Sequence, residues 1–138
     1  MTDAVLVPHD GSELAQKALL DAIATFPDGR IVLFHVIDPF DVTETEHEQP
    51  LLTEEWHEDQ QAATADLFAE IRDSIEGVTL ETATAVGSPP QAIVAAVEET
   101  DVDRIVMGSR GRTHATTQLG STAEVVIRRA PVPVTVVR

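Results

Sequence analysis

The residues with the most chemistry in their types and spacing stand at positions 107–122, which read MGSRGRTHATTQLGST. Glycine has no Cβ, so Gly108, Gly111 and Gly120 allow the backbone to take positive φ and to approach a ligand closely. An apolar run precedes the stretch and helical apolar spacing follows it, so it is a strand-to-helix loop. Main-chain N–H groups, the Ser121 and Thr122 hydroxyls, a helix N-terminus, Arg110 and Arg112 would then face one small volume. Those parts suit phosphate, because the orphan N–H groups and the dipole of a helix start both favour an anion.

The elements that must hold this loop are written in the hydropathy pattern. Residues 4–8 (AVLVP), 31–37 (IVLFHVI) and 104–107 (RIVM) are almost continuously apolar, as strands covered on both faces are. Residues 78–86 alternate, and Pro133 interrupts the terminal VPVTVVR, so these two strands belong at sheet edges. Helical stripes lie between them: Ala15, Ala18, Leu19, Ala22, Ile23 and Phe26 in the first, and Trp56, Ala63, Leu67, Ile71 and Ile75 in the second. A third helix starts at Gly87-Ser88-Pro89-Pro90-Gln91, and Ala123, Val126, Ile127 and Ala130 mark a fourth. Residues 38–52 are acidic, hold Pro39 and Pro50 and lack periodicity, which predicts a mobile surface loop.

Strands alternating with helices predict an α/β fold, an open five-stranded parallel sheet with helices on both faces and right-handed crossovers. With the third and fifth strands as edges, the order is 3-2-1-4-5. The winding reverses between the first and fourth strands, and ligands of such sheets bind beyond the carboxyl ends at that reversal. The loops there are residues 9–12 and 108–122.

Composition narrows the class. The 138 residues suit one domain spanning 1–138. No apolar stretch is long enough for a membrane span, and there is no cysteine for a disulfide or thiolate site. A soluble, cytoplasmic protein is expected. Twenty-four acids face 9 bases, and Lys17 is the only lysine, so the field opposes nucleic acid and anionic membrane. Acids concentrate at positions 38–76, where 13 of them face Arg72 alone. This composition points to a salt-rich cytoplasm, in which screening relieves self-repulsion.

Along essentially its whole length the chain resembles the universal stress protein (UspA-like) family. VLVPHDGSE is similar to that family's first strand and aspartate-bearing turn, LFHVID to its second strand, and PVPVTVVR to its last. GSRG followed by GST resembles the signature of the ATP-binding branch, Gly-x2-Gly-x9-Gly-Ser/Thr, except that residues 112–119 make the second spacer eight. The resemblance implies a Rossmann-like, adenine nucleotide alpha hydrolase-like fold. It implies that Asp10, with Pro8 nearby, contacts the ribose or adenine side of a nucleotide, that Val36 meets adenine through its backbone, and that Met107 and Gly108 line the ribose side. Gly111, Gly120, Ser121 and Thr122 would hold the phosphates, with Arg110 close by and Mg2+ or Mn2+ bridging them. The ligand would be ATP, or ADP or AMP, and the protein a homodimer built through residues 132–138 that serves an unknown regulatory partner.

Plainer readings stand beside these. Asp10 before Gly11 also suits an Asx turn, Ser12 a helix cap, and Ser121 with Glu124 a capping box. Arg128 and Arg129 suit the end of a helix dipole, and His35 a satisfied core position. His47 and His57, set among acids, could take a metal only adventitiously, since no His-Glu-x-x-His spacing occurs. No Gly-x-Ser-x-Gly elbow is present, and the acid pair, aspartate and lysine of a receiver domain are missing. Three functions remain open: an ATP-binding stress-response regulator with little or no hydrolysis, a nucleotide-free dimeric interaction module, and a slow ATP phosphohydrolase.

Overall fold

The computed structural model describes residues 3–39, 53–111 and 119–138. Positions 40–52 of the loop expected at 38–52, with His47, and Arg112 of the glycine stretch lie outside the described residues. The elements in order are β1 (Ala4–Pro8), α1 (Glu13–Thr25), β2 (Arg30–Ile37), α2 (Glu54–Asp73), β3 (Leu80–Val86), α3 (Pro89–Glu99), β4 (Arg104–Gly108), α4 (Ser121–Arg129) and β5 (Val134–Val137). All five strands are parallel, in the order β3-β2-β1-β4-β5. Sheet order and edge strands are those read from the sequence.

The apolar runs of the central strands divide their side chains between two cores. Val5, Val7, Ile31, Leu33 and Val106 pack with Ala18 and Leu19 of α1 and Phe68 and Ile71 of α2. Leu6, Val32, Phe34, Ile105 and Met107 face the other way, against Ile93, Ala96 and Val97 of α3 and Ala123 and Val126 of α4. Strand periodicity of two makes neighbouring residues serve opposite layers. Both layers are therefore anchored on β1 and β4, the strands that carry the two predicted loops.

Two helical stripes differ from their expected registers. In α2, Ala63 is exposed, while Thr64 and Phe68 are buried with Ile71. Thr64 tolerates burial because its hydroxyl donates to the Gln60 carbonyl one turn back, at 2.8 Å. In α4, Ile127 is 46% exposed, and Ala123 and Val126 alone are buried. Ser12 and Thr53 cap α1 and α2 as expected, accepting from the N–H groups of Ala15 (3.2 Å) and Trp56 (3.0 Å). Ser88 occupies the cap position of α3 without a side-chain hydrogen bond. Among the described residues, no helix is long and apolar enough to cross a membrane.

Candidate functional site

A crevice of about 340 Å3 opens beyond the carboxyl ends of β1, β2 and β4, where the winding reverses. Pro8 and Asp10 reach it from the end of β1, Val36 from β2, and Met107 and Gly108 from β4. Arg110 and Gly111 of the glycine loop, and Gly120, Ser121 and Thr122 at the start of α4, complete that wall. All ten residues singled out in the sequence thus meet around one cavity. The side formed by Phe34, Val36, Ile37, Pro89 and Ile93 is mostly apolar, and the glycine-loop side is polar.

The loop glycines work by close approach rather than by the expected positive φ. Among the described glycines, only Gly11, Gly77 and Gly87 have positive φ. A Cβ on Gly111 would stand 2.7 Å from Asp10 Oδ2, and one on Gly120 would stand 3.0 Å from the Arg110 Cα. A Cβ on Gly108 would meet Leu14 of α1 at 3.0 Å. The Gly120 N–H donates to the Ser109 carbonyl at 2.7 Å, so the two ends of the loop are joined at its base. The Ser109 N–H in turn donates to the Val137 carbonyl at 2.8 Å, which fixes that base to β5.

The start of α4 differs from the capping-box reading. Gly120 is the N-cap, with φ −69° and ψ 158°, and Ser121 is the first helical residue. A glycine cap has no side chain to satisfy the first N–H groups, and no side-chain cap bond is formed there. Glu124, the expected reciprocal partner, instead pairs with Arg128 at 2.8 Å on the exposed face. An uncapped helix start facing a crevice is a place where an anion can take up those N–H groups. Asp10 makes the Asx turn: Oδ1 accepts from the Ser12 N–H at 3.0 Å, while Oδ2 lies against Gly111 on the crevice wall.

Sequence reasoning passed over His9. It is 5% exposed, and all four of its polar groups are engaged. Its N–H donates to the Phe34 carbonyl at 2.8 Å, and its own carbonyl accepts from His35 Nδ1 at 2.8 Å. The Gly11 N–H donates to its Nδ1 at 3.0 Å, and its Nε2 pairs with Gln16 Oε1 at 3.0 Å. Burial lowers its pKa below the ordinary histidine value, outweighing Gln16 and the Asp10 charge, which raise it. A histidine two residues before a glycine, in a turn that follows a buried strand, was the available signal. Gln60 of α2 also lines the crevice and was likewise missed.

Fold and crevice together define a doubly wound α/β protein with an open cleft at its winding reversal, one wall of it a glycine loop that leads into a helix. Residues 1–138 match the model of the universal stress protein family, and the chain belongs to that family. It is 33% identical to universal stress protein MJ0531 of Methanocaldococcus jannaschii over 141 residues, covering 97% of this chain and 81% of that one. It is 30% identical to universal stress protein MJ0577 of the same organism, covering 100% of this chain and 96% of the other. The solved structure of MJ0577 superposes with a TM-score of 0.72 at 34% identity, over 99% of this chain and 96% of that one. Universal stress protein UspA from Lactobacillus plantarum superposes with a TM-score of 0.75 at 25% identity, over 99% and 97% of the two chains.

Proposed function

We propose that the crevice binds an adenine nucleotide, ATP before ADP or AMP, and that its occupancy sets the surface this protein offers to a regulatory partner in a stress response. The observation that carries the reading is the meeting of Asp10 with Gly111 beside the uncapped start of α4. A carboxylate that can accept from ribose hydroxyls there adjoins N–H groups suited to phosphate. Val36 and the apolar side of the crevice then suit a purine, with Pro8, Met107 and Gly108 against the ribose. Two proteins that share the fold have been solved in complex with cAMP and with dAMP, both adenine nucleotides.

The donor set also suits a nucleotide-borne cation. Among the described residues, no three His, Cys, Asp or Glu side chains gather as metal ligands. Mg2+ or Mn2+ would therefore arrive on the phosphates, near the neutral Ser121 and Thr122 hydroxyls, and would supply charge neutralisation there. On a chain of net charge −15, Arg110 adds local positive field beside the loop. Hydrolysis should be slow or absent, because the loop contains no lysine to hold the β- and γ-phosphates.

The same reading makes the protein a cytoplasmic homodimer adapted to high salt. The edge strand β5 offers half-buried Val134, Val136 and Val137, and such an edge favours cover by a second copy. The eight-residue spacer supports a second reading, an interaction module that binds no nucleotide. Thermal unfolding decides between them. ATP with Mg2+ at about 100 times its dissociation constant should stabilise the protein by about 2.7 kcal/mol. Ser121→Ala should reduce that gain, and no gain in any salt would favour the nucleotide-free module. Sedimentation at micromolar concentration should show a dimer; monomer alone would remove β5 as its interface.

A further inference from the structure

We propose that His9 is a positioning residue for the Asp10 turn: its neutral imidazole, with the proton on Nε2, holds the Gly11 N–H, and nucleoside affinity falls when Nδ1 also becomes protonated. This deepens the reading of the crevice as an adenine-nucleotide site and rests on it. The direction of every hydrogen bond around the ring can be fixed from two independent ends.

From one end, the Gly11 N–H can only donate, so Nδ1, 3.0 Å away, must accept and carry no proton. From the other end, the Ile71 carbonyl can only accept, so the Ser74 hydroxyl donates to it at 2.6 Å. Ser74 Oγ, its proton used, accepts from the Gln16 side-chain amide at 3.0 Å. That leaves Gln16 Oε1 facing His9 Nε2 at 3.0 Å, and a carbonyl oxygen requires a donor there. Both ends demand the same tautomer. A directed chain of donors therefore runs from the turn that carries Asp10, through α1, to the end of α2.

A proton on Nδ1 turns the acceptor into a donor facing another donor, the Gly11 N–H. Gly11, at φ +87°, sits between Asp10 and the Ser12 N–H that Asp10 Oδ1 accepts, so the disturbance falls on the turn that aims this carboxylate. The groups whose charge acts on His9 are Asp10 of the same turn, which favours the extra proton, and His35 of β2, which opposes it. The α1 and α2 partners, Gln16 and Ser74, are uncharged. Burial is the largest influence and favours the neutral ring. The change thus lies below pH ~6.5, the ordinary histidine value. His35 Nδ1 donates to the His9 carbonyl at 2.8 Å.

Adenosine is the probe, since it has no phosphate to titrate. Its binding to the whole protein is measured by calorimetry from about pH 8 to about pH 5. Wild-type affinity should be constant above pH ~6.5 and fall as the pH is taken further down. His9→Asn keeps an acceptor for the Gly11 N–H without titrating, so it should bind nearly as the wild type does at pH ~8 and lose the fall. His9→Leu fills space but strands the N–H, and should bind about tenfold more weakly at pH ~8. Wild-type affinity in His9→Leu, or an unchanged fall in His9→Asn, overturns the proposal. Nitrogen NMR of the ligand-free wild type gives a separate reading and should show an unprotonated Nδ1 at neutral pH; a proton there also overturns it. Adenosine binding absent at every pH would sink the nucleotide reading and the affinity claim with it, while the Nδ1 signal would still decide the wiring.

Discussion

Gly111→Val should weaken ATP binding by at least about 100-fold, a loss of about 2.7 kcal/mol, while leaving the fold intact. The first added carbon alone would stand 2.7 Å from Asp10 Oδ2. Asp10 cannot simply swing aside, because its other oxygen holds the Ser12 N–H at 3.0 Å. Either the carboxylate leaves the ribose side of the crevice or the loop backs away from the phosphate side, and both halves of the proposed site suffer. Gly111 is only half-buried and lies outside every helix and strand, so the melting temperature should move by no more than a few degrees. Titration calorimetry with ATP and Mg2+ measures the loss. Binding within threefold of wild type would take the glycine loop out of the site.

The second large effect is on stability. Ile105→Ala should cost about 2–5 kcal/mol, from lost transfer energy and the cavity left behind. Ile105 is fully buried near the start of β4, opposite Leu6 and Val134, and packs into the core under α3 and α4. Against the roughly 5–15 kcal/mol that holds a domain together, that is a substantial part. Ile127→Ala on the outer face of α4 serves as the control and should stay within about 0.5 kcal/mol. Denaturant unfolding at one fixed salt concentration compares them. A loss below about 1 kcal/mol for Ile105→Ala would mean that the layer beneath α3 and α4 is not packed as described.

Sheet order and the two crevice loops were legible in the sequence for a common reason, whereas Pro8, Val36 and Met107 were reached only through the family resemblance. Buried parallel strands are near-continuous apolar runs, and order follows once the two compromised strands are put at the edges. The winding reversal then selects two loops. The helix faces were less legible. In α2 apolar residues are sparse, so stripes containing Ala63 or Thr64 fit the period equally well, and Thr64 wins by bonding its own helix. In α4, nine residues give only about two and a half turns, too few to fix which side of Ile127 is covered. Of the two reasons read for the loop glycines, positive φ does not hold at Gly108, Gly111 or Gly120; close packing does, but against Asp10, Leu14 and Arg110 of the chain itself, and Asp10 and Leu14 lie far away in sequence. His9 was missed on the same grounds, since its meaning depends on Gln16 and Ser74 converging in space.

The hydrogen bond between Ser109 and Gly120 bears on the shortened spacer. It works as a buckle: the strap on its far side can change length while the clasp stays put. Adding or removing one residue in a closed loop of this size alters the closure entropy by only about 0.1 kcal/mol. The bearing of Ser121 and Thr122 on the crevice is set at the clasp, by Gly120 against Arg110 and Ser109 against Val137. Under the proposed nucleotide reading, eight residues between Gly111 and Gly120, or nine, can then serve the same helix start.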